Sequence, residues 1–403
     1  MTKTTKTAET TTDVERTASA GRRADAGADP SARETGVQPL PTYSWEPTTE
    51  FLAAKYGLSR DEIVRFDVNT SPVPPDLADV LTGTFFPPLS EYPPSDYRPL
   101  VEAAAASYGV GTDEVLPTAG ADEALDLTAR AFLREGSTAI VATPTYAMYR
   151  IVSEQRGARV VAVPRRGPSQ GFALDVPALV AAVVAENAAL VWLCEPNNPT
   201  GSYEPPERIA ALLAGLETAS QAARRTPPVV VVDEAYSEFV GRSVLRYRLD
   251  YPRLVVIRTL SKAHALAGAR VGFAIARPET LGPLVSFRAP ASVGTVSAAL
   301  AEAALRRPQL AAANVARIGE QRSRLERELS AMGWDVYPSR TNFILIRFSS
   351  AAAAATAAGT LLRAGLVPRT FDEDHPFADC LRLTVRSDDE NSRLLEVARG
   401  IRP

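Results

Sequence analysis

Five short, almost wholly apolar runs recur through the middle of the chain: Thr138-Ala-Ile-Val-Ala142, Val160-Val-Ala-Val163, Leu190-Val-Trp-Leu-Cys194, Val229-Val-Val-Val232 and Leu254-Val-Val-Ile257. A strand with one face in water alternates apolar and polar residues. A strand that is apolar throughout is covered on both faces. Helix-compatible stretches separate the runs, such as Pro177–Glu186 and Pro206–Ala223. Amphipathic helices are expected over Leu100–Tyr108 and over Glu123–Leu133, the second following the turn Thr118-Ala119-Gly120-Ala121. Strand and helix in alternation build βαβ units, whose crossovers place helices on both sides of a mostly parallel sheet. The expected fold class is α/β, with a large doubly wound sheet domain.

Beyond about residue 290 the pattern changes. One long helical segment is expected over 295–332, then a strand at Asn342–Arg347 and an alanine-rich helix near 350–363. Strands at Gly365–Arg369 and Cys380–Val385 follow, and a final helix at Glu390–Gly400. This reads as a smaller α+β domain, against which residues 45–90 should pack. The stretch 1–42 is rich in Thr, Ala, Arg, Asp and Glu, poor in large apolar residues, and reads as a disordered tail. The expected division is therefore 1–42 tail, 43–92 N-terminal segment, 93–290 large domain and 291–403 small domain.

Composition excludes several classes. A net charge of -3 over 403 residues does not suit a polyanionic partner such as nucleic acid. No apolar run approaches membrane-span length, and the N-terminus has no secretory apolar core. Two cysteines, Cys194 and Cys380, make no disulfide framework and suit a reducing, cytoplasmic setting. The only histidines are His264 and His375, so no Cys/His metal set is expected. Lysine is sharply biased: Lys3, Lys6, Lys55 and Lys262 stand against 40 arginines. Arginine does most of what lysine does on a surface, but it forms no imine with an aldehyde.

Ligands of open α/β sheets bind at the carboxyl ends of the strands. There this chain carries Glu195-Pro-Asn-Asn-Pro-Thr-Gly201, Asp233-Glu-Ala-Tyr236 and Arg258-Thr-Leu-Ser-Lys262. A desolvated lysine can attack an aldehyde, and a carboxylate such as Asp233 can hold a pyridine nitrogen protonated. Tyr236 and Asn198 can donate to a ring oxygen, and Tyr146 can stack on a ring. The turn Gly120-Ala121-Asp122 opens a helix, and with Arg270 it offers a phosphate site.

The motifs Pro196-Asn-Asn-Pro-Thr-Gly201, Asp233-Glu-Ala-Tyr236 and Thr259-Leu-Ser-Lys-Ala-His-Ala-Leu-Ala-Gly-Ala-Arg270 together resemble those of fold-type I, aspartate aminotransferase-like enzymes. Gly120-Ala-Asp-Glu-Ala-Leu and Pro144-Thr-Tyr-Ala-Met-Tyr149 resemble the histidinol-phosphate aminotransferases in particular. The resemblance implies a pyridoxal 5'-phosphate (PLP) enzyme of class I/II that transfers amino groups by a ping-pong cycle. It implies Lys262 as the Schiff-base lysine, Asp233 on the pyridinium, Asn198 and Tyr236 on the ring oxygen, and Tyr146 stacked on the ring. It implies Gly120, Ala121, Asp122, Thr259, Ser261 and Arg270 around the phosphate. Tyr92, in Glu91-Tyr-Pro93, resembles a tyrosine that reaches the neighbouring subunit's phosphate, which implies a homodimer with shared sites. Arg382 resembles the arginine that holds the substrate carboxylate, and Arg369 a second substrate-facing arginine.

The substrate half departs from that pattern. Where the family commonly carries Asn-Glu-Asn-Pro and an aromatic, this chain has Asn69-Thr-Ser-Pro72-Val73. Arg288-Ala-Pro-Ala-Ser-Val-Gly294 lacks the usual aromatic or Asn, His264 replaces an aromatic, and Arg386 stands where Gly is usual. The amino substrate is thus open, and a PLP lyase, decarboxylase or oxidase on the same scaffold is the rival expectation.

Overall fold

The computed structural model describes residues 40–82 and 89–402, so most of the expected tail lies outside the described residues. Its strands in chain order are β1 (Val64–Arg65), β2 (Val115–Thr118), β3 (Thr138–Thr143), β4 (Arg159–Pro164), β5 (Leu190–Cys194) and β6 (Val229–Asp233). They continue with β7 (Leu254–Thr259), β8 (Gly272–Ala276), β9 (Asp335–Tyr337), β10 (Phe343–Arg347), β11 (Leu366–Val367) and β12 (Cys380–Thr384).

The five apolar runs become β3 to β7. With β2 and β8 they form one sheet of order β2-β8-β7-β6-β5-β3-β4. The runs pair in parallel, whereas β8 is antiparallel to both β7 and β2. Alternate residues feed two cores. Val191, Leu193, Val230 and Val232 face one layer of helices, and Leu190, Trp192, Val229 and Val231 face the other. Neither β2 nor β8 was expected. Val115-Leu-Pro-Thr118 contains a proline, and Gly272–Ala276 follows the lysine motif too closely to allow a crossover helix. An antiparallel pair needs no crossover.

A second sheet, β12-β10-β9, is antiparallel and packs under the helices Pro308–Ala331, Ala351–Arg363 and Asp388–Ala398. The expected helix over 295–332 is two helices, Thr295–Leu305 and Pro308–Ala331. Pro308 supplies no N–H and disfavours helical backbone at Arg307, whose φ/ψ is -121°/61°. The expected strand Gly365–Arg369 narrows to Leu366–Val367 plus a single bridge from Arg369 to Arg382. β1 pairs in parallel with β11, and Phe66 continues that line by donating to Val367 and accepting from the Thr384 amide. Residues 64–69 are thereby held along the small sheet.

Away from the sheet's carboxyl edge, buried charges are matched in pairs. Arg165 and Glu195, 0% and 3% exposed, pair at 2.7 Å, and Glu195 also accepts from the Glu204 amide. This pair anchors the loop that follows β5. Removing one partner leaves a buried charge uncompensated, at a cost of about 3–5 kcal/mol. R165A should therefore lower the unfolding free energy by about that amount in urea titration. A loss below about 1 kcal/mol would mean that the loop is held by other contacts.

Candidate active site

Register places the chemistry. Cys194 lies opposite Asp233, and Asp233 opposite Ile257, so the segments after β5, β6 and β7 leave the sheet side by side. Gly272, at the start of antiparallel β8, lies opposite both Thr259 and Thr118, so the Gly120 turn meets the same edge.

Lys262 sits at the centre of this edge. Its Nζ donates to the Asn69 carbonyl at 3.2 Å and lies 5.8 Å from the centre of the Tyr236 ring. Burial, with Arg382 and Arg270 nearby, pushes its ammonium down to about 8, although Asp122 and Asp233 act the other way. Asp233 is buried, and its Oδ2 accepts from the Tyr149 hydroxyl at 2.8 Å while its Oδ1 accepts from the Ala235 amide at 3.0 Å. Burial raises this carboxyl to about 6, and the two hydrogen bonds oppose that rise. Tyr149 stacks on Trp192, with ring centres 5.5 Å apart and 11° between planes, and Trp192 Nε1 donates to Ser153 Oγ at 3.0 Å.

The Tyr236 hydroxyl accepts from Asn69 Nδ2 at 3.1 Å, which leaves its own proton to donate. Asn198 Oδ1 accepts from Arg382 Nη1 at 2.7 Å, which leaves its amide N–H groups to donate. Arg382 also donates to the Asp67 carbonyl at 2.6 Å. Tyr146 meets Tyr149 edge to face and donates to Asp122 Oδ1 at 3.2 Å. Arg270 Nη2 donates to Asp122 Oδ2 at 3.1 Å. Thr259 Oγ1 donates to Ser261 Oγ at 3.0 Å and accepts from the Ser261 amide.

Two glycines set the spacing. Gly120, at φ +83°, caps the helix Ala121–Phe132, and a Cβ there would meet Arg270 Nη2 at 2.4 Å. A Cβ on Gly272 would meet the Gly120 carbonyl carbon at 2.6 Å. Only bare backbone lets the helix N-terminus, Arg270 and the Thr259–Ser261 hydroxyls converge.

The other expected residues stand apart. Tyr92 is 89% exposed and is not a partner of these side chains among the described residues. Arg369 is ion-paired with Glu46. Arg386 donates to Glu390 Oε1 at 2.9 Å. His264 is buried, lines a cavity of about 140 Å³ with Val73, Pro74 and Asn314, and is held below its ordinary pKa by burial. Cys194 and Cys380 are free and buried. Among the described residues no group of His, Cys, Asp and Glu could hold a metal, and no helix is long and apolar enough to cross a membrane.

Three contributors were not anticipated. Asn69, at φ +51°, joins Lys262, Tyr236, Asn342 and Thr384. Only the fold brings it there. Tyr149 lies three residues beyond Tyr146, in the helix Met148–Glu154 that follows it, and that proximity is a usable signal. Asn197 ties its loop to Thr145, Pro144 and Thr200.

The family described as aminotransferase class I and II matches residues 65–397. The chain belongs to this family. A histidinol-phosphate aminotransferase of Xanthomonas oryzae pv. oryzae is 40% identical over 310 residues, covering 75% of this chain and 82% of that protein. One from Roseiflexus castenholzii is 34% identical over 360 residues, covering 87% and 93%. The crystal structure of histidinol-phosphate aminotransferase from Sinorhizobium meliloti in complex with pyridoxal-5'-phosphate superimposes with a TM-score of 0.78 at 26% identity, covering 91% and 97%. The fold is that of the fold-type I aminotransferases, and the protein is an aminotransferase acting on small molecules.

The family is PLP-dependent, and the residues present fit that cofactor. The glycine cradle, Arg270, two hydroxyls and a helix N-terminus make a phosphate donor set. A half-buried lysine with a depressed pKa and a buried carboxylate complete it.

In the PLP-free aminotransferase, acylation of Lys262 followed by peptide mass spectrometry should report an apparent pKa near 8. D233N should lower that value, because the Asp233 charge supports the ammonium. An ordinary lysine pKa would refute the desolvated site. Y149F should weaken PLP binding by about tenfold in a spectral titration, since a hydrogen bond to a charged group contributes about 1.5–3 kcal/mol. Unchanged affinity would remove Tyr149 from the control of Asp233.

Proposed function

We propose that this aminotransferase runs a ping-pong exchange between an amino acid or amino-phosphate donor and a 2-oxo acid such as 2-oxoglutarate. Histidinol phosphate leads the candidate donors, because the relatives above carry that name. The observation that carries the reading is the half-buried Lys262, 5.8 Å from the centre of the Tyr236 ring and within the electrostatic reach of Asp233 and Arg382.

PLP, bound in this site, supplies an aldehyde for covalent capture of the amino group and an electron sink beside the α-carbon. Gly120, Ala121, Asp122, Thr259, Ser261 and Arg270 would surround its phosphate. Asp233 would hold the ring nitrogen protonated, Tyr236 and Asn198 would donate to the ring oxygen, and Tyr146 would stack on the ring. Lys262 then has two roles in this chain. Its Nζ would be the covalent anchor for the cofactor, and as a free amine it would stand half-buried at the sheet edge. An ammonium depressed to about 8 leaves a usable neutral fraction near neutral pH, so Nζ can accept the substrate's α-proton and return it. The Asn69 carbonyl, 3.2 Å away, holds that amine in place. Arg382, whose side-chain partners are an amide oxygen and a carbonyl, keeps a positive charge for a substrate anion.

We further infer a large domain over 93–290, a small domain over 291–403 joined by 43–92, and a cytoplasmic homodimer. In that dimer the exposed Tyr92 would reach the partner's phosphate site.

The test is the absorbance spectrum of the PLP-loaded protein before and after L-glutamate and a panel of amino donors that includes histidinol phosphate. The long-wavelength band should collapse with the true donor, and addition of 2-oxoglutarate should restore it. K262A should lose turnover by on the order of 10⁴-fold. Product formed from one amino acid without any 2-oxo acid would instead establish lyase, decarboxylase or oxidase chemistry.

A further inference from the structure

Arg369 and Arg382 face each other across an antiparallel bridge, each donating its backbone N–H to the other's carbonyl at 3.0 Å. Directly opposed residues of such a pair project to the same side. The two guanidiniums are therefore neighbours. Burial comes first among the effects that oppose the charge on Arg382, and Arg369 adds to it.

The two arginines are satisfied differently. Arg382 is buried and gives Nη1 and Nη2 to neutral acceptors, the Asn198 amide oxygen and the Asp67 carbonyl, while its buried Nε has no partner. No carboxylate neutralises it among the described residues. Arg369 already has a counter-charge in Glu46, from a stretch more than three hundred residues earlier in the chain. The same stretch approaches the site a second time, because the Tyr43 ring lies 6.3 Å from the Tyr146 ring at 62°. Glu46 thus brings an acid to a pocket whose Asn69-Thr-Ser-Pro72 segment carries none.

We propose that Glu46 is a charge-selectivity determinant for the substrate. It neutralises Arg369, so a singly charged group is held by Arg382 alone. A doubly charged group, a phosphomonoester or a second carboxylate, displaces Glu46 and engages both arginines. The exposures favour such an exchange. The Arg369 and Glu46 side chains are 32% and 25% exposed, and a partly exposed ion pair is weak enough to yield to a stronger anion. The inference rests on the proposed substrate role of Arg382 and Arg369.

The test is calorimetric titration of the PLP-loaded protein with succinate, phenyl phosphate and butyrate, so that the cofactor's own phosphate site is filled. E46Q should tighten succinate or phenyl phosphate about fivefold or more, and butyrate less than twofold. The E46Q/R369Q double variant should lose that gain. E46A, which removes the acid without leaving an amide, should behave as E46Q does. A gain for succinate alone would identify a dicarboxylate as the natural dianion, and one for phenyl phosphate alone a phosphomonoester. Equal gains for all three anions, or none, would overturn the role of Glu46. R382K separates the two levels of the argument: it should weaken all three anions, and if it does not, the substrate site itself has been misplaced.

Discussion

Everything at the site depends on the hydrogen-bonded register of three parallel strands. Because Cys194, Asp233 and Ile257 are aligned across β5, β6 and β7, their following segments emerge at one edge. A one-residue slip in any pair would turn the Asp233 side chain to the other face of the sheet. The antiparallel β8 and β2 then bring Arg270 and the Gly120 turn to that edge, with no crossover helix between β7 and β8. A reactive lysine needs low dielectric and nearby charge together, and this edge provides both.

The second dependence is the clamp made by Asn69. Its carbonyl accepts from Lys262 and from Asn342, its side-chain amide donates to Tyr236, and Thr384 bonds both its amide and its side-chain oxygen. One residue of the N-terminal segment thereby joins the large sheet's edge to the end of β12. Arg382 makes a parallel link, since it reaches Asn198 in the β5 loop and the Asp67 carbonyl. Residues that would hold the cofactor and residues that would hold a substrate anion are therefore mechanically coupled. The coupling runs through the backbone carbonyls of Asp67 and Asn69 and through the Asn69 and Asn198 side chains, which side-chain variation at positions 70–73 does not remove.

Charge is handled in two ways. Structural charges are closed off: Arg165 with Glu195, and Arg258 with Glu234 and Glu238. The charges at the site are left short of full compensation. Lys262 has a carbonyl and no carboxylate within ion-pair distance among the described residues, and Arg382 has only neutral acceptors. A buried charge without an opposite partner is unfavourable in the free protein, and it is where an anionic or electrophilic ligand gains most.

Much of this was legible in the amino-acid sequence, because it is local or periodic. Apolar runs of four or five residues name parallel strands, buried except at the sheet's edge strand β4, and residues just after them lie at the ligand-binding edge. Lys262, Asp233, Tyr236, Asn198 and Arg270 could be picked out on that basis, together with their motifs. Sequence also determined where most of the longer helices would stand, apart from the break at Pro308, but it did not name Thr49–Tyr56, Met148–Glu154 or Pro278–Val285. Contacts between segments far apart in the chain were not legible, for no local pattern encodes them. Asn69 reads as a turn residue until β1 pairs with β11 and Phe66 bonds to Thr384. Glu46 reads as one acid beside a tail until it meets Arg369. Tyr149 reads as core until its hydroxyl is found on Asp233. Residue type and period settle which groups are available and which face they take. Only closure of the tertiary fold decides which of those groups share a dry space, and so which charges are perturbed enough to do chemistry.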